Sequence, residues 1–343
     1  MNKKAFFSGI AIGLVGIIAV GTIGAVTKGF REWKKPFKKK PQLELSEYVE
    51  LETAPGLGFM LLENDTYSVF ATETGLTEVS VPETVDGVKV TEVASMAFMS
   101  NCTTLTKVTL PDSIKVIGES AFADCDELTE INLPKELKRV EACAFQSIPS
   151  DFRLPEKLEY IGSNAFNATS ITEVVFPKTL KTVESSAFYG CTALTKVNMG
   201  SVEKVVTGAF SNCTALTSVT LSVNMKNIPV GLFAGASALE TLELPEGIKT
   251  IGSMAFARSG LKKITIPDSV VVIYSSAFAS CAALTEITLG KNVKHIGAQA
   301  FTGCTTLTTV YNLSELTLTK GDAEGHGGIA ANATNIYTEL PAA

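Results

Sequence analysis

Residues Ile114 to Pro134 read IKVIGESAFADCDELTEINLP, one turn of a pattern that runs through most of the chain. Its clearest mark is the aromatic residue of Ala-Phe. Phe98, Phe122, Phe145, Phe166, Phe188, Phe210, Phe233, Phe256, Phe278 and Phe301 follow one another at intervals of 21 to 24 residues. A period of that length predicts a repeat solenoid, stacked units sharing one continuous core.

Each unit opens with two aliphatic residues three apart, as in Ile114/Ile117, Leu137/Val140, Leu158/Ile161, Ile248/Ile251 and Val293/Ile296. The spacing predicts a tight helical or bent segment that turns both side chains to the core. Gly follows at Gly118, Gly162, Gly252 and Gly297, where a positive φ is expected. The small Ala before each Phe is expected to let neighbouring backbones approach, and Leu232-Phe233 is the one pair that breaks this rule. A leucine six residues after Phe (Leu128, Leu194, Leu216, Leu239, Leu284, Leu307) precedes an alternating run such as Thr129-Glu130-Ile131-Asn132-Leu133. That alternation predicts a half-buried strand. Proline, which cannot donate to a continuing ladder, ends it at Pro111, Pro134, Pro155, Pro177, Pro245 and Pro267. One strand per unit would stack into a parallel sheet about 50 Å long over the array. The third unit, Ile148-Pro149-Ser150-Asp151-Phe152, lacks the usual Leu-Thr approach, so a local irregularity is expected there.

Before the repeats, Phe59–Leu62 and Tyr67–Phe70 flank the turn-prone Glu63-Asn64-Asp65, which predicts a hairpin over the end of the stack. Further upstream, Ala5–Val26 is uncharged over 22 residues, enough helix at ~1.5 Å per residue to cross a ~30 Å hydrocarbon layer. An uncleaved transmembrane anchor is expected in preference to a removed signal peptide. Residues 1–40 hold nine Lys/Arg against Glu32, leaving 20 basic and 34 acidic residues for the rest. The acidic body excludes a general nucleic-acid binder. The basic run from Lys28 to Lys40 reads as a contact with membrane head groups.

Six cysteines sit just after a repeat Phe: Cys102, Cys125, Cys191, Cys213, Cys281 and Cys304, with Cys143 apart from them. A ladder of buried free thiols is expected. The alternative is disulfides between neighbouring units, pairing 102 with 125, 191 with 213 and 281 with 304. Neither CxxC nor paired Cys/His spacing occurs, so no metal is expected. His295 shares its slot with Val116, Arg139, Tyr160 and Lys204, the mark of an unspecialised solvent position, and His326 lies among glycines. With no G-x-S-x-G, HExxH, P-loop or dinucleotide motif, no enzyme activity and no cofactor are expected. The outward side of the predicted sheet is the candidate binding surface. Its candidate ligand-binding residues are Glu130, Asn132, Arg153, Lys196, Asn198, Thr241, Lys263, Thr309 and Tyr311.

These residues resemble the BspA-like leucine-rich repeat family, whose mark I-x-x-I-G-x-x-A-F-x-x-C-x-x-L-x-x-I-x-L-P is met almost letter for letter by Ile114–Pro134. The resemblance covers roughly Tyr67 to Thr338. Tyr311-Asn312-Leu313 and Asn335–Thr338 are similar to the family's closing unit. It implies a leucine-rich-repeat solenoid displayed outward, since members are typically bacterial surface or secreted proteins and some are adhesins. The expected layout is an anchor at 1–27, a basic linker at 28–46, an N-terminal cap at 47–89, the array at 90–313 and a C-terminal cap at 314–343. The expected function is a membrane-anchored surface module that binds a protein or glycan partner. An intracellular scaffold tethered to the cytoplasmic face and an envelope spacer without a ligand are the alternatives.

Overall fold

The computed structural model describes residues 3–5 and 47–341. From the end of the N-terminal hairpin onward the chain winds as a parallel β-solenoid, but each regular turn carries two strands, not the expected one. The paired aliphatics are extended, not helical. Val116–Ile117, Arg139–Val140 and Tyr160–Ile161 are two-residue strands that pair in parallel, Arg139 opposite both Val116 and Tyr160. The residue after each pair donates its N–H one turn back, Gly118 to the Val93 carbonyl and Gly252 to that of Ile228. A helical turn would consume these groups internally; extended backbone offers them along the stack. We call this the short-strand face.

The long-strand face is the predicted sheet. Lys107–Thr109, Glu173–Val175, Lys196–Asn198, Ser218–Thr220, Lys263–Thr265, Glu286–Leu289 and Thr309–Asn312 belong to it. A third ladder runs past the phenylalanines, where the N–H of each repeat Phe bonds the carbonyl before the next one, as from Phe122 to Ala144 and from Phe166 to Ala187.

The glycines serve a different purpose from the one expected. A Cβ on Gly118 would lie 2.6 Å from the backbone nitrogen of Ser95, and one on Gly297 would lie 2.5 Å from that of Ser275. They permit close approach between turns. Positive φ falls two residues before each Phe instead, on Ser120 (53°), Ser186 (56°) and Met254 (56°), among others.

The ten phenylalanine rings form a buried column. Most neighbouring rings stack with centroids 5.0 to 5.6 Å apart. The two widest steps, 6.1 and 5.9 Å, flank Phe233. Leu232 is fully buried there in the slot that elsewhere holds Ala, and its extra carbons hold the turns apart.

The cysteines follow the thiol-ladder expectation: all seven are free. The Cys191 thiol donates to the Phe166 carbonyl at 3.1 Å, and Cys281 to that of Phe256 at 3.0 Å. Burial pushes the Cys191 thiol up to about 11 and raises that of Cys213 as well. Such protonated sulfurs are core atoms, not nucleophiles.

At the start of the array Ala54–Leu61 pairs antiparallel with Tyr67–Ala71, Phe59 opposite Val69. Tyr67–Ala71 then joins Val88–Val93 in parallel, which couples the hairpin to the first repeat. At the far end Asn335–Tyr337 adds a last parallel strand, and the Phe301 N–H bonds the Gly327 carbonyl. Lys3–Ala5 pairs antiparallel with Glu47–Leu51, so Ala5 closes a strand where the apolar span was expected to begin. Residues 6–26 of that span and the linker at 28–46 lie outside the described residues. Among the described residues no helix is long and apolar enough to cross a membrane.

Candidate functional site

On the long-strand face most charged side chains bond one another from turn to turn. Lys107 meets Glu130 at 2.8 Å, Glu173 joins Lys196 at 2.9 Å and Arg153 at 3.6 Å, and Lys263 meets Glu286 at 3.2 Å. The hydrogen bond from Lys196, helped by the nearby Arg153 charge, holds the Glu173 carboxyl below its usual range; the bond to Glu130 raises Lys107. Four of the expected ligand-binding residues, Glu130, Arg153, Lys196 and Lys263, are thus engaged between repeats. Asn132 is engaged too, accepting from the Leu110 N–H and donating to the Leu110 carbonyl, both at 2.8 Å. Asn198 accepts from the Gly200 N–H at 3.0 Å. Apart from the local Asn198 bond, these contacts tie turns together, and they leave few free groups on the face.

Thr309 and Tyr311 lie at the far end of the face. Tyr311 sits opposite Tyr337 in the last strand pair, and their rings stack with centroids 5.3 Å apart. The aromatic element of this face is therefore a pair, which the sequence reading missed because Tyr337 follows a closing segment of irregular length.

Thr241 and Lys263 are brought together by a defect. The long strand is absent from Thr241–Glu243, and the sheet ends on either side, at Ser218–Thr220 and at Lys263–Thr265. Among the described residues no backbone hydrogen bond joins residues 217–221 to 240–244, and only the Lys262 N–H reaches back, to the Glu240 carbonyl at 3.0 Å. The short-strand face is also interrupted nearby, between Lys204–Val205 and Asn227–Ile228. The cause there is chemical. Pro229 occupies the slot from which Val206 donates to Val183 and Gly252 to Ile228, and proline has no N–H to give Val205.

With Leu232 widening the column behind it, the gap opens as a groove of about 770 Å³. Val219, Leu242, Ile264, Pro245 and Pro267 supply its apolar lining. Lys263, paired with Glu286, and Thr217, bonded to the Thr195 carbonyl, lie in its wall, and Ser218, Thr220, Thr241, Thr265, Glu243 and Glu246 supply its other polar groups. Those four hydroxyls have no hydrogen-bond partner among the described residues, and the two carboxylates no ion pair. The sequence signals were Pro229 and Leu232, each a departure from the repeat in the same unit.

Among the described residues no group of three or more His, Cys, Asp and Glu is placed to hold a metal ion. His295 is exposed at the outer edge of a short strand, and His326 has a φ of 48° in the C-terminal turn.

The model of the BspA-type leucine-rich repeat region (6 copies) matches the chain over residues 66–195, 148–238 and 203–323. No match was found among curated proteins. Among solved structures, a leucine-rich repeat protein from Bacteroides ovatus is 27% identical over 82% of this chain and 75% of its own, with a TM-score of 0.67. A leucine-rich repeat protein of T. pallidum is 28% identical over 54% of this chain and 88% of its own, at a TM-score of 0.47. A leucine-rich cell surface protein from Faecalibacterium prausnitzii is 20% identical over 77% of this chain and 94% of its own, at 0.34. With the repeat matched over most of its length and the solenoid seen directly, the chain belongs to the BspA-type leucine-rich repeat family.

Proposed function

We propose that the chain is a surface-displayed repeat module that binds a protein or glycan partner through its long-strand face, held at the membrane by the apolar segment Ala5–Val26. The layout is an anchor, a basic linker over 28–46, a hairpin cap, the array and a closing unit. The observation that carries the reading is the distribution of free groups on that face. Its charges are mostly spent on neighbouring turns, and unspent groups collect at the groove around Thr241. A stack built only as a spacer would have no need of such a local opening.

Surface display is favoured by the family resemblance together with the apolar span. Protease treatment of intact cells is expected to remove the repeats. Complete protection, with the chain present in the membrane fraction, would instead favour the tethered scaffold on the cytoplasmic side, which the basic run after the span supports. A saturable partner lost on alteration of the long-strand face and retained on alteration of the short-strand face, for example at His295 and Asn227, is the matching binding result.

A further inference from the structure

We propose that the groove over Thr241–Glu243 takes an extended peptide segment carrying Lys or Arg; this rests on the reading of the long-strand face as the recognition surface. Three independent features converge. The first is backbone. Residues 217–221 pair back to Lys196–Asn198, but where the ladder is broken no backbone hydrogen bond joins them to 240–244 among the described residues, so the edge that faces the gap is left open. A strand edge left in this state is completed by another extended backbone, which supplies alternating N–H and C=O groups.

The second is charge. Glu240 is taken by Lys262 and Lys263 by Glu286, but Glu243 and Glu246 line the groove unpaired. The complementary ligand is cationic, and an anionic chain would meet two bare carboxylates. The third is the wall. Free serine and threonine hydroxyls stand over an aliphatic floor, with no aromatic ring among the lining residues. Hydroxyls serve peptide groups as well as sugars, but a sugar ring would lack an aromatic platform to stack on. The other strandless turn, at Asp151–Arg153, lacks this opening because its own side chains fill it.

The test is selection from a phage-displayed library of random linear peptides against the immobilised full-length chain. Recovered peptides are expected to be rich in Lys and Arg and to bind a Tyr311→Ala/Tyr337→Ala variant as well as the wild type. A Glu243→Lys/Glu246→Lys variant should weaken them by about tenfold or more. N-methylation of alternate peptide amides should also weaken them, because it removes the donors that a strand edge needs. Both glutamates are exposed, and a Glu243→Gln/Glu246→Gln variant with an unchanged thermal midpoint guards against misfolding. Absence of basic enrichment, undiminished binding to the charge-reversed variant, or indifference to N-methylation would each overturn the proposal. Peptides lost only on the tyrosine variant would overturn the groove while leaving the long-strand face as the recognition surface. Failure of surface proteolysis would remove surface display and leave peptide binding by the purified chain to be scored on its own.

Discussion

Among the described residues two turns of the solenoid lack their long strand, and they differ in what replaces it. At Asp151–Arg153 the gap is sealed. Phe152 is buried between Phe145 and Phe166, with ring centroids 5.1 and 5.6 Å away. The Asp151 carboxylate accepts from the Thr172 N–H at 3.1 Å and its hydroxyl at 2.9 Å, while Ser150 donates to the Leu128 carbonyl at 2.7 Å. Side chains there do the work of the missing ladder. At Thr241–Glu243 the Glu240–Lys262 ion pair reaches the following turn, but among the described residues no side chain joins residues 240–244 to 217–221, the phenylalanine column is at its widest, and a groove results. A repeat protein can lose a strand at little structural cost if other groups satisfy the backbone; where they do not, the defect faces outward as a place to bind.

The sharpest way to break this contrast is to empty each gap. Phe152→Ala removes a ring from a sealed position and should cost about 3–5 kcal/mol. Leu242→Ala should cost about 2 kcal/mol, because its cavity would open into the groove and fill with water. Denaturant unfolding of both variants decides. Equal losses would mean that the two turns are packed alike. Next in size, Asp151→Ala should cost about 0.5–1.5 kcal/mol by removing the acceptor of the exposed Thr172 N–H and hydroxyl, which water then partly replaces. Hydrogen exchange at that amide should rise while Glu243→Ala leaves exchange in its own turn unaltered.

Much of this architecture was legible in the sequence. The phenylalanine period named the solenoid, the alternating runs named the long strands, and the lapse at Ile148–Phe152 marked the sealed turn. The short strands were not legible. Two aliphatics at a spacing of three fit a bent helical segment as well as a corner followed by two extended residues, and only pairing with the next turn decides between them. The glycines misled for a related reason. Close approach between turns and positive φ both select glycine, and the sequence does not separate the two causes. For the candidate site, Thr241 and Lys263 were read on the outward side of the sheet and both line the groove, but Lys263 and the other charges chosen are paired with neighbouring repeats. Salt bridging between turns depends on side-chain reach across the stack, which a single repeat cannot display. Pro229 and Leu232 stood in plain sight as irregularities, yet their joint effect requires knowing which slots donate and which must stay small.

Pro229 offers a smaller and more local test. Pro229→Ala restores the N–H that the equivalent Gly252 donates to Ile228 at 2.8 Å. The gained hydrogen bond, about 0.5–1.5 kcal/mol, is offset by the greater freedom of the unfolded chain, about 0.4–1 kcal/mol. Net stability should therefore shift by less than about 1 kcal/mol. The readout is the new amide itself, which should be protected from exchange to the same degree as that of Gly252. A fast-exchanging amide at 229 would show that Leu232, not the proline, keeps the short-strand sheet open at Val205.

The weakest expected effect concerns the charges beside the sealed turn. Glu173 bridges Arg153 and Lys196, and its carboxyl is held below the usual range chiefly by the Lys196 hydrogen bond. A carboxylate depressed in the folded state adds stability that is present above its unfolded value and is lost as pH falls through the folded one. Glu173→Gln should therefore lower the thermal midpoint slightly near neutral pH, and the difference should vanish in acid, below the ordinary carboxylate range. High salt should shrink it at neutral pH, since the group is partly exposed and screened. Glu243→Gln in the open turn has no ion partner to lose and should leave the midpoint unchanged at both pH values. A difference for Glu173→Gln that persists in acid would assign the residue a packing role, and the sealed turn would then owe its closure to Phe152 and Asp151 alone.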